Sequence, residues 1–325
     1  MKTIVFDLLN VDNGELEAIK AAKEFLKENK DYYLYLVGNQ ELIKKELKGF
    51  ENQIEIINSD KIAHKVLSVR DALKEESSML TAFEILNEKA DAILSSGDSG
   101  SFITLSTLKV KRLPGISRPA FMPIMPSSQE NDFLLLDAGA NIDIKANYLV
   151  EWASVAKEYF EILFNKKRPK VAILNIGTED YKGKEEHKEA NEILKANNQD
   201  FDYLGFVEPK NPLNGEVDIL LADGYAGNIF LKTMESSFLG VAKRLKKMLL
   251  RNFKTKIAAL ILKKDLKAFK KRYDYRYVGG AYIIGLNKVV VKAHGSSDAL
   301  AFYSALNQIK IALDHDLINK LNKEE

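Results

Sequence analysis

Short apolar, β-branched runs alternate with longer helix-periodic stretches along nearly all of this 325-residue chain, and few folds accept that pattern. Residues 3–9, 33–37, 54–58, 92–96, 133–138, 171–176, 203–207, 218–222, 281–286 and 289–293 read as strands. Several are apolar throughout, as strands buried on both faces of a parallel sheet must be. Helical periodicity fills residues 16–28, 42–48, 62–74, 78–89, 102–112, 147–165, 185–196, 229–250 and 298–313. The alternation predicts a three-layer α/β fold, a largely parallel sheet with helices on both faces. No Pro/Ser/Gly-rich linker and no internal repeat interrupts it, so residues 1–325 read as a single α/β domain.

Composition excludes several chemistries. The chain has no Cys, which removes disulfides, zinc ribbons, iron–sulfur clusters and thiol nucleophiles, and suits a reducing cytosol. The opening apolar run is broken by Asp7, too early for a signal-peptide core. No stretch approaches the roughly 18 uncharged apolar residues that span a bilayer. There is no Gly-x-Gly-x-x-Gly and no phosphate-binding Gly-x-x-x-x-Gly-Lys motif, so neither a dinucleotide nor ATP has positive support. Gly97-Asp98-Ser99-Gly100 spells a serine-protease string, yet it lacks the disulfide-bearing context of those enzymes and is not a Gly-x-Ser-x-Gly elbow. His64, His187, His294 and His315 make no metal-ligand spacing. No cofactor and no metal are expected.

Charge is unevenly spread. The chain carries a formal +2, but residues 243–276 hold fourteen Lys or Arg against Asp265 and Asp274, a local +12 that leaves −10 elsewhere. Leu245, Met248, Leu249, Phe253, Ile257, Leu260, Ile261, Leu266 and Phe269 recur through this segment mostly at spacings of three and four, the repeat of an amphipathic helix. Such a basic amphipathic excursion reads as a membrane-surface element or a dock for an acidic protein, with Leu260, Ile261 and Phe269 as contacts. The alternative is a solvated hairpin whose apolar stripe packs on its own body. Nucleic acid is not expected, because no base-reading motif accompanies the charge.

Six strands end in glycine and small polar residues: Gly38-Asn39, Gly97-Asp98-Ser99-Gly100, Gly139-Ala140-Asn141, Gly177-Thr178, Gly224-Tyr225-Ala226-Gly227-Asn228 and Gly295-Ser296. In a parallel sheet these loops converge on one carboxyl edge, where open α/β folds bind ligands. Several open helices, whose free N–H groups favour an anion such as phosphate. Gly97, Asp98, Ser99 and Gly100 are the expected backbone donors, with Asn141 and His294 as further polar lining.

In order, and almost end to end, these loops resemble the PlsX family of bacterial phosphate acyltransferases. The matching pieces are Ala90-Asp91-Ala92 with Ser96-Gly97-Asp98-Ser99-Gly100, Leu113-Pro114-Gly115-Ile116 with Arg118-Pro119, and Leu135-Leu136-Asp137-Ala138-Gly139-Ala140-Asn141-Ile142-Asp143. Leu174-Asn175-Ile176-Gly177 with Lys182-Gly183, Gly215-Glu216-Val217-Asp218 with Asp223 to Asn228, and Leu286-Asn287 with Val291 to Ser296 complete the series. Two positions depart: Asn10 and Val11 stand where the family usually has two glycines, and Lys74-Glu75-Glu76 where it usually has a basic cluster, so a phosphate or carrier contact expected there is either lost or moved to Arg70.

The resemblance implies a fold similar to phosphotransacetylase and to isocitrate/isopropylmalate dehydrogenases. It also implies transfer of a long-chain acyl group from acyl carrier protein to inorganic phosphate. The acyl phosphate would pass to a downstream glycerol-phosphate acyltransferase, and the enzyme would be a homodimer at the inner, anionic face of the membrane. The family's catalytic Lys and Asn fall on Lys182 and Asn228. The chemistry suits a chain without Cys: phosphate is itself nucleophilic, and a thiolate whose thiol pKa is about 8.5 leaves without compulsory protonation. A phosphotransacetylase-like transferase using acyl-coenzyme A, and a non-catalytic scaffold for acyl carrier protein, are the alternatives.

Overall fold

A computed structural model describes residues 1–62, 71, 73, 75–196 and 200–322. The helix expected at 62–74, and Arg70 with it, falls largely outside these residues. The strands are β1 (Lys2–Asp7), β2 (Tyr32–Gly38), β3 (Ile54–Asn58), β4 (Ala92–Ser95), β5 (Ala120–Pro126), β6 (Asp132–Leu136), β7 (Lys170–Leu174), β8 (Asp202–Val207), β9 (Ile219–Leu221), β10 (Gly280–Ile284) and β11 (Val289–Ala293). They form one sheet in the order β3-β2-β1-β4-β11-β10-β5-β6-β9-β7-β8. Most neighbouring pairs are parallel; β10 and β5 are antiparallel to both of their neighbours.

Period-two alternation sorts side chains to two faces. Ile4 and Phe6 of β1 join one core with Phe25, Trp152 and Phe302, contributed by the helices Glu15–Glu28, Ala146–Phe164 and Ala299–Asp314. Val5 between them joins Met79, Phe83 and Phe102 of the helices Ser78–Lys89 and Ser99–Lys109 on the opposite face. On that second face Phe133 and Leu135 pack beneath Leu231 of the long helix Gly224–Leu249. The expected three layers are therefore present. Trp152 is fully buried and its Nε1 donates to the Arg118 carbonyl at 2.8 Å, so its truncation to Ala would cost about 3–5 kcal/mol.

β5 is absent from the sequence expectation. Its segment Ala-Phe-Met-Pro-Ile-Met-Pro carries two prolines, which argue against a central strand. It is central nonetheless, because residues 120–123 pair with β10 and residues 124–126 with β6. Each half is paired on one side, so a missing N–H is tolerated.

The strand directions overturn one expectation. Because β10 and β5 reverse the sense twice and β6 reverses it again, β6, β9 and β7 run opposite to β1, β4 and β11. The loops at Gly97–Gly100 and Gly295 open from one edge of the sheet; those at Gly139, Gly177 and Gly224 open from the other. The six glycine loops do not share one edge.

Candidate active site

The loops after β1, β4 and β11 open into a cavity of about 840 Å³, within the range that holds small-molecule ligands. Its walls are of two kinds. Phe121, Ile124 and Met125 of β5 and Leu231, Met234 and Phe238 of the long helix are apolar; Asn10, Ser96 to Ser99, Lys232, Lys292 and His294 are polar. Of the residues expected in a pocket, Gly97, Asp98, Ser99 and His294 line it, while Gly100, Asn141, Lys182 and Asn228 do not. Gly97 turns its N–H inward to Ser95 Oγ at 3.2 Å. Asp98 caps the helix Ser99–Lys109, its carboxylate accepting from the Ser101 N–H at 3.0 Å.

Asn10 is held by Asp7 and Ser78: its Nδ2 lies 2.8 Å from Asp7 Oδ2 and 3.0 Å from Ser78 Oγ. A Cβ at Gly97 would stand 2.0 Å from Met79 Cε and 3.3 Å from Asn10 Cγ, so Asn10 and Met79 pack directly against the loop after β4. Burial raises the Asp7 carboxyl pKa against the hydrogen bonds from Ser95, Ser78 and Asn10.

His294 is oriented by a short relay. The Ser296 N–H donates to Nδ1 at 3.2 Å, Ser296 Oγ lies 2.7 Å from the same atom, and Tyr275 OH lies 3.0 Å from that Oγ. With Nδ1 accepting, the imidazole proton sits on Nε2. Burial, with nearby Lys292, lowers the His294 pKa, which keeps the ring a neutral donor near pH 7.

Lys292 is the residue that sequence reasoning passed over. It is 8% exposed, its Nζ donates to the Ala293 carbonyl at 3.0 Å, and burial brings its pKa down to about 8. Asp98 and Asp12 favour its charge and Lys232 opposes it. The signal lay in Val289-Val290-Val291-Lys292-Ala293: in a strand buried throughout, a lysine has no route to solvent except a cavity.

The second edge carries the other expected residues. Asp137 is buried and accepts from the N–H groups of Phe121 (3.0 Å), Gly139 (3.1 Å), Ala140 (3.0 Å) and Asn141 (2.6 Å), winding the loop around itself. Asn141 was expected to face a ligand; instead its amide donates inward to Asp137 and Pro119 at 2.9 and 2.8 Å, and its carbonyl receives the Gly224 N–H. Lys182 Nζ lies 2.8 Å from Glu179 Oε1. Lys184 reaches across to Asp223, which caps the long helix by accepting from the Ala226 N–H at 2.8 Å. Burial of Asp223 would raise its pKa, but His187, the Ala226 N–H and Lys184 outweigh it and hold the carboxyl well below the usual range.

Lys182 thus stands on the loop after β7, and Asn228 in the first turns of the helix after the neighbouring strand β9. Asn228 shares a helix face with Lys232, one turn or about 6 Å along the axis. Since Lys232 lines the cavity and acts on the ionisation of both Lys292 and His294, the long helix bridges the two edges.

A sequence profile of the family described as fatty acid synthesis protein matches residues 2–320. The chain is 45% identical over 326 residues to the phosphate acyltransferase of Mycoplasma mobile, covering 99% of each. It is 46% identical over 321 residues to that of Mycoplasmopsis pulmonis, covering 98% of each. The chain belongs to the phosphate acyltransferase family. It is an acyltransferase, and the resemblance read from the loops is correct. Among solved structures it is similar to a phosphotransacetylase from Streptococcus pyogenes, with a TM-score of 0.62 at 20% identity over 97% of this chain and 94% of that one. At that identity the likeness to phosphotransacetylase concerns the fold.

The basic excursion leaves the body of the sheet as exposed helices and returns at Arg272 to Tyr275, which line the cavity. After the long helix it continues as the helices Phe253–Ile261 and Lys263–Arg272, neither with a buried residue. Leu260 and Ile261 are 69% and 77% exposed, so this part of the stripe does not pack on the body. Phe269 differs, packing on Phe238 and Tyr273. Among the described residues no helix is long and apolar enough to cross a membrane.

Proposed function

We propose that this phosphate acyltransferase moves a long-chain acyl group from acyl carrier protein to inorganic phosphate. A phosphate oxygen attacks the thioester carbonyl carbon, a C–O bond forms, the C–S bond breaks, and the carrier's thiolate leaves with the electron pair. Lys182 and Lys232 supply positive charge for phosphate, joined by Lys292 when protonated. Asn228 donates its amide N–H to the developing oxyanion, an interaction whose loss typically costs about 10²–10³ in rate. His294 contributes a neutral Nε2–H, and Gly97, Asp98 and Ser99 complete the polar wall. The observation that carries this reading is the two-sided cavity, apolar along β5 and the long helix and cationic beside Lys232 and Lys292, which matches the two halves of an acyl phosphate. Lys182 and Asn228 stand outside that lining and enter the reading through the family resemblance, with Asn228 one helical turn from Lys232.

Two further features support the setting. Ile142, Ile176, Tyr181, Tyr225 and Ile229 are all exposed around the Lys182–Asn228 edge, an apolar rim suited to a second copy of the chain, so a homodimer would exclude water there. The exposed stripe and net charge of the basic helices suit an anionic bilayer, from which a labile amphipathic product reaches a glycerol-phosphate acyltransferase. The decisive test mixes the protein with palmitoyl carrier protein and inorganic phosphate and identifies products by mass spectrometry. Palmitoyl phosphate and free carrier are expected; hydrolysis alone, or turnover with palmitoyl-coenzyme A only, would overturn the assignment.

A further inference from the structure

One wall of the cavity is a stack of aromatic rings. Phe238 and Tyr273 both line it, with centroids 4.4 Å apart and planes 27° from parallel. Phe269 lies behind them, 5.7 Å from Phe238 and 5.2 Å from Tyr273, touching both rings without lining the cavity. Phe238 and Tyr273 are therefore a partition with the acyl-sized space on one side and the partly exposed Phe269 on the other. Arg272, next to Tyr273, holds the partition to the body: it donates to the Gln129 carbonyl at 3.2 Å and pairs with Asp132. The buried Lys292 lines the same cavity.

We infer that this cavity is the acyl-chain site and that Phe238, backed by Tyr273 and Phe269, is the stop that limits chain length. The inference rests on the acyl-transfer reading and deepens it. A chain with its carbonyl toward the cationic wall extends over Phe121, Ile124 and Met234 until it meets the partition. Truncating Phe238 opens the space toward Phe269, and enlarging it shortens the space.

Phe238→Ala, Phe238→Trp and the unaltered protein would be compared with carrier protein loaded with myristoyl, palmitoyl or stearoyl groups, and by fluorescence titration with cis-parinaric acid. Each methylene newly accommodated is worth about fourfold in binding. The Ala variant is expected to raise the stearoyl-to-myristoyl ratio of kcat/KM at least about fourfold, and the Trp variant to lower it and weaken cis-parinaric acid binding. If acyl phosphate forms and both variants leave profile and binding unchanged, the chain site is elsewhere. If no acyl phosphate forms but cis-parinaric acid binding responds to Phe238 as described, the pocket stands and the catalytic reading falls.

Discussion

Asn228 rests on Gly139. A Cβ built at Gly139, whose φ is +132°, would stand 3.0 Å from Asn228 Nδ2, so the loop after β6 fixes the position of a side chain on the helix after β9. Gly139→Ala would displace the amide and strain the loop. Asn228→Ala is expected to lower kcat by about 10²–10³ with little change in the KM for phosphate. Gly139→Ala should reduce kcat in the same direction while the fold, followed by circular dichroism, persists. A normal kcat in both variants would remove Asn228 from the chemistry.

The polar loops were legible in the sequence because each is short, local and written in glycine and aspartate. Strand positions followed from apolar runs, and the loop residues from what terminates them. The relation between loops was not legible, since it depends on the sense of β10, β5 and β6, and β5 hides behind Pro123 and Pro126. Asn141 and Asp98 show the limit of reading polarity as ligand contact: one amide satisfies a buried carboxylate and the other carboxylate caps a helix. Lys292 went unread because its neighbours, not its own identity, reveal that it is buried.

The depressed pKa of buried Lys292 makes it a stability liability. Its folded value is about 8 against an unfolded 10.5, so between those values the unfolded chain holds the proton more tightly and stability rises with pH. Lys292→Met should abolish that rise and stabilise the protein near neutral pH by up to about 3 kcal/mol. The same variant should raise the KM for phosphate about 10- to 100-fold below about pH 8, through loss of a charge-assisted hydrogen bond. Urea denaturation across pH and steady-state kinetics check the two halves; an unchanged phosphate KM would place the anion away from Lys292.

Asp223 acts in the opposite sense. Its folded pKa lies below the ordinary 3.8, so its contribution is complete above that value and is lost as pH falls through the lower folded value. Replacing Asp223 by Ala removes a helix cap and leaves Lys184 and the buried His187 without their carboxylate, a loss of about 3 kcal/mol. Chemical denaturation near neutral pH should show that loss in full. It should shrink at acidic pH, where the unaltered protein approaches the variant.

The basic helices separate charge from apolar contact, which allows lipid and carrier to be distinguished. Leu260 and Ile261 project into solvent while Phe269 packs on Phe238, so Leu260→Ser with Ile261→Ser should abolish flotation with liposomes of anionic lipid yet leave turnover with soluble acyl carrier protein near normal. Phe269→Ser should affect both, because it also weakens the wall behind Phe238. Raised salt should weaken the initial attraction to anionic vesicles, since exposed charges are screened over about 8–10 Å at physiological ionic strength. Flotation by the unaltered protein that survives the Leu260/Ile261 double substitution would show that these residues do not seat the protein on the bilayer. Flotation absent from the start would instead assign the positive segment to recognition of an acidic protein.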